Sequence, residues 1–417
     1  MRIPRKVVLA GALALSSALA LASPTSATTP TFKLVDAGVN GAELNIGVSP
    51  NGSVFVGGWD AVGRSTDGGN TWTQVQPGPV GVAADRVLVV DHATGRVIEE
   101  DTALAGCALV QWSDDNGASW TSNSACSASV TDHAKVAVGK RTTLVDPTGK
   151  LYQNIMYMCG NGLSNTGCAE SSTGGLTWAP TAPHGVGCAF QGVPKADDSG
   201  TLYEPSSACG LQVRKTADNG LTWTEITTPF ATGPDTPDLA MTPDGTVYLM
   251  WIDASWQPEF ARSSNGGVSW SGPFAVPVAG LKSSVFPAIV AGANGKIAMQ
   301  FYGTTDDATG WDHNPGNAPD SIRWNGYMAV VIDANAATPT VAPTQVTSAT
   351  QPLQYGCLSK LGSCLDNIAD YDGIDASADG HVFGVFVNGC LPGCTSHATS
   401  TSDRAVVAVQ TGGDLIR

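Results

Sequence analysis

The sequence predicts an all-β chain folded as one β-propeller. Three observations predict it. An eight-residue turn signature, here called the box, occurs five times. Short alternating apolar runs fill the intervals between boxes, bounded by Gly, Asp, Asn and Pro, and no long helical periodicity interrupts them. Glycine is abundant, 49 of 417 residues, as expected of a chain with many tight turns.

The first box is Ser65-Thr66-Asp67-Gly68-Gly69-Asn70-Thr71-Trp72. Later copies start at Ser113, Ser171, Thr216 and Ser263, at intervals of 48, 58, 45 and 47 residues. Thr173 and Asn265 replace the Asp in the third and fifth copies. A repeat at that period means stacked or radially arranged units. In each box the Asp or Asn oxygen is placed to accept following backbone N–H groups, and glycine admits positive φ. The box is therefore a folded turn, its aspartates are structural, and its tryptophan is expected in the core.

The chain opens with Met1-Arg2-Ile3-Pro4-Arg5-Lys6, an apolar run over Val7–Ala22 and the small-residue stretch Ser23–Ala27. That is the pattern of a secretory signal peptide over 1–27, leaving a single domain over 28–417. Removing it takes away three positive charges, so the formal charge moves from −15 to −18. A chain that acidic is not expected to bind nucleic acid, and no second apolar run suggests a membrane span. The ten cysteines all follow Ala27, which suits disulfides in an oxidising compartment. Pairing of sequence neighbours gives Cys107–Cys126, Cys159–Cys168, Cys188–Cys209, Cys357–Cys364 and Cys390–Cys394.

Taken in order, Leu44–Val48, Ser53–Gly57, the strand entering the first box and the strand leaving it make a first unit. A second starts near Asp85, a third near Lys135 and a fourth over Gly187–Gln191. The fifth starts at Asp238. Beyond Trp270 the boxes stop but the rhythm persists. Pro287–Val290, Ile297–Tyr302 and Trp324–Ile332 form a sixth unit, and Ile374–Ala376, His381–Val387 and Ala405–Gln410 a seventh. The count is seven, or six if the last two units merge, with Phe32–Val35 available to close the ring. Radial closure removes exposed strand edges.

Candidate chemistry is sought at the starts of the innermost strands. Tyr371, flanked by Asp370 and Asp372, is the tyrosine best placed to act as a nucleophile. Asp132 and His133 are candidate acid or base groups. Arg86 and Arg323 are candidate carboxylate clamps, and Trp251 and Trp324, with Trp59 and Trp311, are candidate platforms for a sugar ring. Glu43, Asp85, Asp235 and Asp238 occupy comparable places, and any of these polar residues has a second reading as a hydrogen-bond partner that closes the ring. The acidic loop from Asp306-Asp307 to Asp312-His313 offers oxygen ligands for a structural Ca2+. No other cofactor or metal is expected.

The boxes resemble the Asp-box repeats of the bacterial sialidase (neuraminidase) superfamily, and five copies within 206 residues carry that resemblance across most of the chain. It implies a propeller that acts on extracellular glycans. That superfamily's sialidases hold a carboxylate with three arginines, the first in an F/Y-R-I-P segment. Here the only R-I-P is Arg2-Ile3-Pro4, inside the signal segment. The expectation is therefore a secreted, monomeric carbohydrate-active enzyme of glycoside-hydrolase type. A lyase of uronate polymers and a non-catalytic glycan- or protein-binding propeller are the alternatives, since a fold does not decide function.

Overall fold

The computed structural model describes residues 28–75, 83–103, 107–125, 132–141, 152–161, 166–188, 192–348, 350–358, 372–391, 393–396 and 402–417. The signal segment 1–27, Asp370, Tyr371 and the cysteines 126 and 364 lie outside them.

Seven antiparallel sheets form, each ordered by sequence from its innermost strand outward. The innermost strands are Asn45–Val48, Ala83–Val90, Asp132–Lys140, Lys195–Ala196, Asp238–Met241, Ser283–Ala291 and Ile374–Ala376, one for each of blades one to seven. Blade seven is completed from the other end of the chain. Thr31–Asn40 pairs antiparallel with Arg404–Gly412 as its outermost strand. The ring is thus closed by backbone hydrogen bonds between the two ends of the domain, which leaves no open seam between the last blade and the first.

The boxes fold as self-contained turns. In the first, Ser65 Oγ accepts from Gly69 N at 2.9 Å, and Asp67 accepts from Thr71 N at 2.9 Å and Thr71 Oγ1 at 2.7 Å. Asp115 and Asp218 repeat this with Ser119 and Thr222. The substituted boxes keep the same bonds, with Thr173 Oγ1 accepting from Thr177 N at 2.8 Å and Asn265 Oδ1 from Ser269 N at 2.9 Å. These bonds hold the Asp67 and Asp115 carboxyls down at about 2, the first chiefly through the Thr71 amide and the second through the Ser119 hydroxyl.

Two expectations are corrected. The five box tryptophans are half-buried, packed against the edges of the apolar clusters between sheets rather than inside them. Each follows a turn that faces solvent, so only part of the ring reaches the core. Among the described residues the innermost strand of blade four is Lys195–Ala196, while Gly187 and Cys188, where that strand was expected to begin, are not in a strand and 189–191 lie outside the described residues. Cys188 is tied by its disulfide to Cys209 and by its N–H to Gly185 O. The disulfides Cys159–Cys168, Cys188–Cys209 and Cys390–Cys394 form as paired from sequence. The pairings Cys107–Cys126 and Cys357–Cys364 each involve a residue outside the described ones.

Chain direction gives the two faces different characters. Among the described residues the innermost strands end in tight turns, such as 49–53, 197–201, 242–246 and 377–381, and the boxes share that turn face. The opposite, loop face carries the blade-to-blade connections and the long excursion between Ile297–Thr304 and Arg323–Val331 in blade six.

Candidate functional site

Residues of all seven innermost strands line a central channel of about 780 Å3. Aspartates knit its wall. Asp235 Oδ2 accepts from Phe286 N at 2.7 Å, and Asp238 Oδ2 from Ile289 N at 2.8 Å, joining blade five to blade six. Asp372 Oδ1 accepts from Leu44 N at 3.1 Å, and Asp375 Oδ2 from Val48 N at 2.8 Å, joining blade seven to blade one. Both pairs are spaced i, i+3, with the first Asp just before the innermost strand and the second on it.

Cations extend each staple to a third blade. Lys195 Nζ, from blade four, donates to Asp238 Oδ2 at 2.9 Å and to Ile289 O at 2.8 Å. His92 Nε2, from blade two, lies 2.9 Å from Asp375 Oδ2. Blades four to six and blades seven to two are thus braced as triplets. Burial pushes the Asp238 carboxyl up, against the pull of Lys195. The Asp375 charge raises the His92 imidazole while burial opposes it. Asp372 is pushed up to about 7 by burial, even though it accepts the Tyr302 hydroxyl and the Leu44 amide. Burial and then the Asp372 charge drive Tyr302 well above the usual phenol range, so this tyrosine–carboxylate pair is a lock between blades six and seven, not a nucleophile.

The residues proposed from sequence fall into three groups. Tyr371 and Asp370 are outside the described residues but directly precede Asp372 on the channel wall. Asp132 and His133 begin the innermost strand of blade three at the loop face, and their side chains are outside the description. The four binding candidates are described, and three of them, Arg86, Trp251 and Trp324, are corrected by their burial. Arg86 is 2% exposed, with Nε 2.7 Å from Glu99 Oε1 and Nη1 donating to Gly58 O at 2.9 Å, so it is a core charge rather than a clamp. Trp251 and Trp324 are both 0% exposed and offer no ring face to a ligand. Trp251 packs in the apolar cluster between blades four and five and donates its indole N–H to Ala231 O, while that of Trp324 goes to Gly356 O. Arg323 stands at the loop face, but its guanidinium already grips a carboxylate. Nε and Nη2 donate to the two oxygens of Asp306 at 2.8 and 2.7 Å. That contact lowers Asp306 and raises Arg323.

The acidic loop does not assemble a calcium cage. Asp306 is taken by Arg323, Asp307 by Lys282 and His313, and Asp312 caps Asn314 N. Of the four candidate platforms, Trp59 and Trp311 remain partly exposed, and Trp256 joins them. All three sit on loops between second and third strands, at the loop face. Trp256 was hidden from sequence reasoning because its position depends on a backbone held at φ +60. His92 and Lys195 were missed for a different reason: each acts on a strand distant in sequence, and no local pattern marks them.

No family model matches the sequence, and no curated protein matches it. Solved structures do match in fold. YCF48 bound to a D1 peptide is 12% identical, with 92% of this chain and 100% of that one aligned and a TM-score of 0.50. The intramolecular trans-sialidase from Ruminococcus gnavus, solved with oseltamivir carboxylate, is 14% identical over 92% of this chain and 96% of that one, with a TM-score of 0.44. The six-bladed, fucose-recognising lectin of Aleuria aurantia is 13% identical over 77% and 99%, with a TM-score of 0.44. At these identities the likeness is one of fold alone, that of a β-propeller, here with seven blades.

Proposed function

We propose that this protein is a secreted, carbohydrate-acting propeller of glycoside-hydrolase type that seats its glycan on the loop face, over blades five to seven. One observation carries the reading. The long connections and the partly exposed aromatic side chains Trp256, Trp311 and Tyr355 gather on that face. Adjacency supports it: Ser284 of blade six donates to Trp256 O at 2.7 Å, and Tyr355 pairs in register with Arg323. Aromatic faces suit the apolar face of a sugar ring, with hydroxyls left to the polar rim. In this reading Tyr371 is the nucleophile, Asp370 assists it, and Asp132 and His133 are the acid or base groups. The segment 1–27 directs export, and the protein acts as a monomer. Among the described residues no helix is long and apolar enough to cross a membrane.

A second reading is a glycan-binding propeller without catalysis. It is favoured by the channel aspartates 235, 238, 372 and 375, all of which are spent on joining blades. One experiment separates the two. The mature protein is incubated with sialosides, neutral glycans and uronate polymers, while reducing ends and unsaturated uronide absorbance are followed. Product that is lost in Tyr371→Phe supports the hydrolase. Binding without product supports the second reading, and unsaturated product points to a lyase. Neither product nor binding on any glycan overturns the proposal.

A further inference from the structure

Blades three and four meet at a buried polar cluster that neither the channel nor the loop face uses. Cys159 and Cys168 lie opposite each other on the second and third strands of blade three and are joined by a disulfide. Glu204, from the second strand of blade four, points at them, and the two sulfurs and a Glu204 carboxylate oxygen lie within 4.8 Å of one another. His184 completes the group. Its Nε2 is 3.8 Å from Cys168 Sγ and 3.1 Å from Glu204 Oε2. None of the four is more than 3% exposed.

The surroundings hold these groups as a metal site holds its ligands. A tetrahedral zinc ion, with bonds of about 2.3 Å to sulfur and about 2.0–2.2 Å to nitrogen or oxygen, sets its ligand atoms roughly 3.3–3.8 Å apart. The His184 distances are already close to that. His184 Nδ1 lies 3.3 Å from Ala182 O, which can hold a ring proton there, while Nε2 faces Glu204 Oε2 at 3.1 Å, so an ion would take the place of the proton shared between Nε2 and Glu204. The ring is fixed by stacking on Trp223, with centroids 3.6 Å apart. Arg214 donates to Glu204 Oε1 at 2.8 Å and so leaves Oε2 for an ion. Charge closes as well. Two thiolates, one carboxylate, a divalent ion and Arg214 sum to zero when His184 binds as a neutral imidazole. A buried metal cluster needs that neutrality.

We propose that Cys159, Cys168, His184 and Glu204 form a site for zinc, or a similar soft divalent ion, when the Cys159–Cys168 disulfide is reduced. Disulfide and ion are then alternative cross-links at the same place. A phosphine reductant breaks the S–S bond and becomes its oxide, taking oxygen from water, and the two water protons pass to the sulfurs. The ion then displaces both thiol protons to solvent, together with the proton between His184 Nε2 and Glu204, and coordinates the two thiolates, His184 Nε2 with the remaining ring proton on Nδ1, and Glu204 Oε2.

The test uses the mature protein and Co2+ as a spectroscopic stand-in for zinc. After anaerobic phosphine reduction, one equivalent of Co2+ should give thiolate-to-cobalt charge transfer and the visible bands of a tetrahedral ion. Zn2+ should bleach both, and the oxidised protein should show neither. Cys159→Ser/Cys168→Ser should abolish the bands, and His184→Ala should weaken Co2+ affinity by about tenfold or more. Because reduction also opens the other disulfides, thermal unfolding is the second measurement: Zn2+ should raise the melting temperature of the reduced parent and not that of the double cysteine variant. Reduced protein without the bands, bands that persist in the double cysteine variant, or a reduced parent that Zn2+ does not stabilise would each overturn the proposal.

Discussion

His92 Nε2 and Asp375 Oδ2 stand 2.9 Å apart, so a side chain of blade two is joined to blade seven across blade one. Asp375 also holds the Val48 amide of the intervening blade. The ring is closed twice at this junction: by strand pairing at its outer edge and by this brace on its inner wall.

That brace should respond to pH. Asp375 raises the His92 imidazole above its unfolded value of about 6.5, so the brace contributes fully below that pH and is lost as pH rises through the raised folded value. His92→Gln should lower the melting temperature near pH 5.5, with the gap to the parent closing by pH 9. The imidazole side chain is 48% exposed to the channel, so screening limits the effect to less than about 1 kcal/mol. A gap that widens with pH would show that the pair does not act as an ion pair.

Asp238 should be costlier to lose. Asp238→Ala leaves the Ile289 N–H without its acceptor and the half-buried Lys195 ammonium with Ile289 O but no counter-charge, and should destabilise by about 2–4 kcal/mol in urea unfolding. Asp238→Asn keeps an oxygen for the amide and should cost less. Equal losses in the two variants would mean that the amide bond contributes little.

Arg86 should behave as a core residue. Arg86→Met strands Glu99, whose carboxyl burial already lifts to about 7 against the pull of Arg86, and should destabilise by about 3–5 kcal/mol. Glycan binding by the folded fraction should be unchanged. Lost binding at unaltered stability would return Arg86 to the ligand site.

The loop-face aromatics should report on ligand. Trp256→Ala and Trp311→Ala should each weaken glycan affinity about tenfold, near 1.4 kcal/mol, by titration calorimetry. Trp251→Phe should affect stability alone, because Trp251 is sealed in the core. Binding that ignores both loop-face substitutions would move the ligand away from this face.

Much of the fold was legible because its signals are local. A box needs only eight residues to make its bonds, so Ser65, Asp67, Gly69 and Thr71 announce their turn wherever they occur. The starts of several innermost strands, though not those of blades four and six, were legible too, as positions where polar side chains matter. Roles at those positions were not. Asp235, Asp238 and Asp372 proved to be the ring-closing partners that were one of two readings, while Arg86, Trp251 and Trp324 turned inward. Exposure depends on the neighbouring blade, which lies tens of residues away in sequence.

The sequence by itself determined the repeat, the all-β class, the close disulfides Cys159–Cys168 and Cys390–Cys394 and the turn chemistry, since each rests on residues near one another along the chain. Tertiary structure alone decided which charges meet. Lys195 finds Asp238 and Ile289, His92 finds Asp375, and His184 finds Glu204 beside a disulfide, because closing the ring brings distant strands together. Electrostatic and hydrogen-bond energies fall off over a few ångströms, so partners are chosen by that closure and not by spacing along the chain.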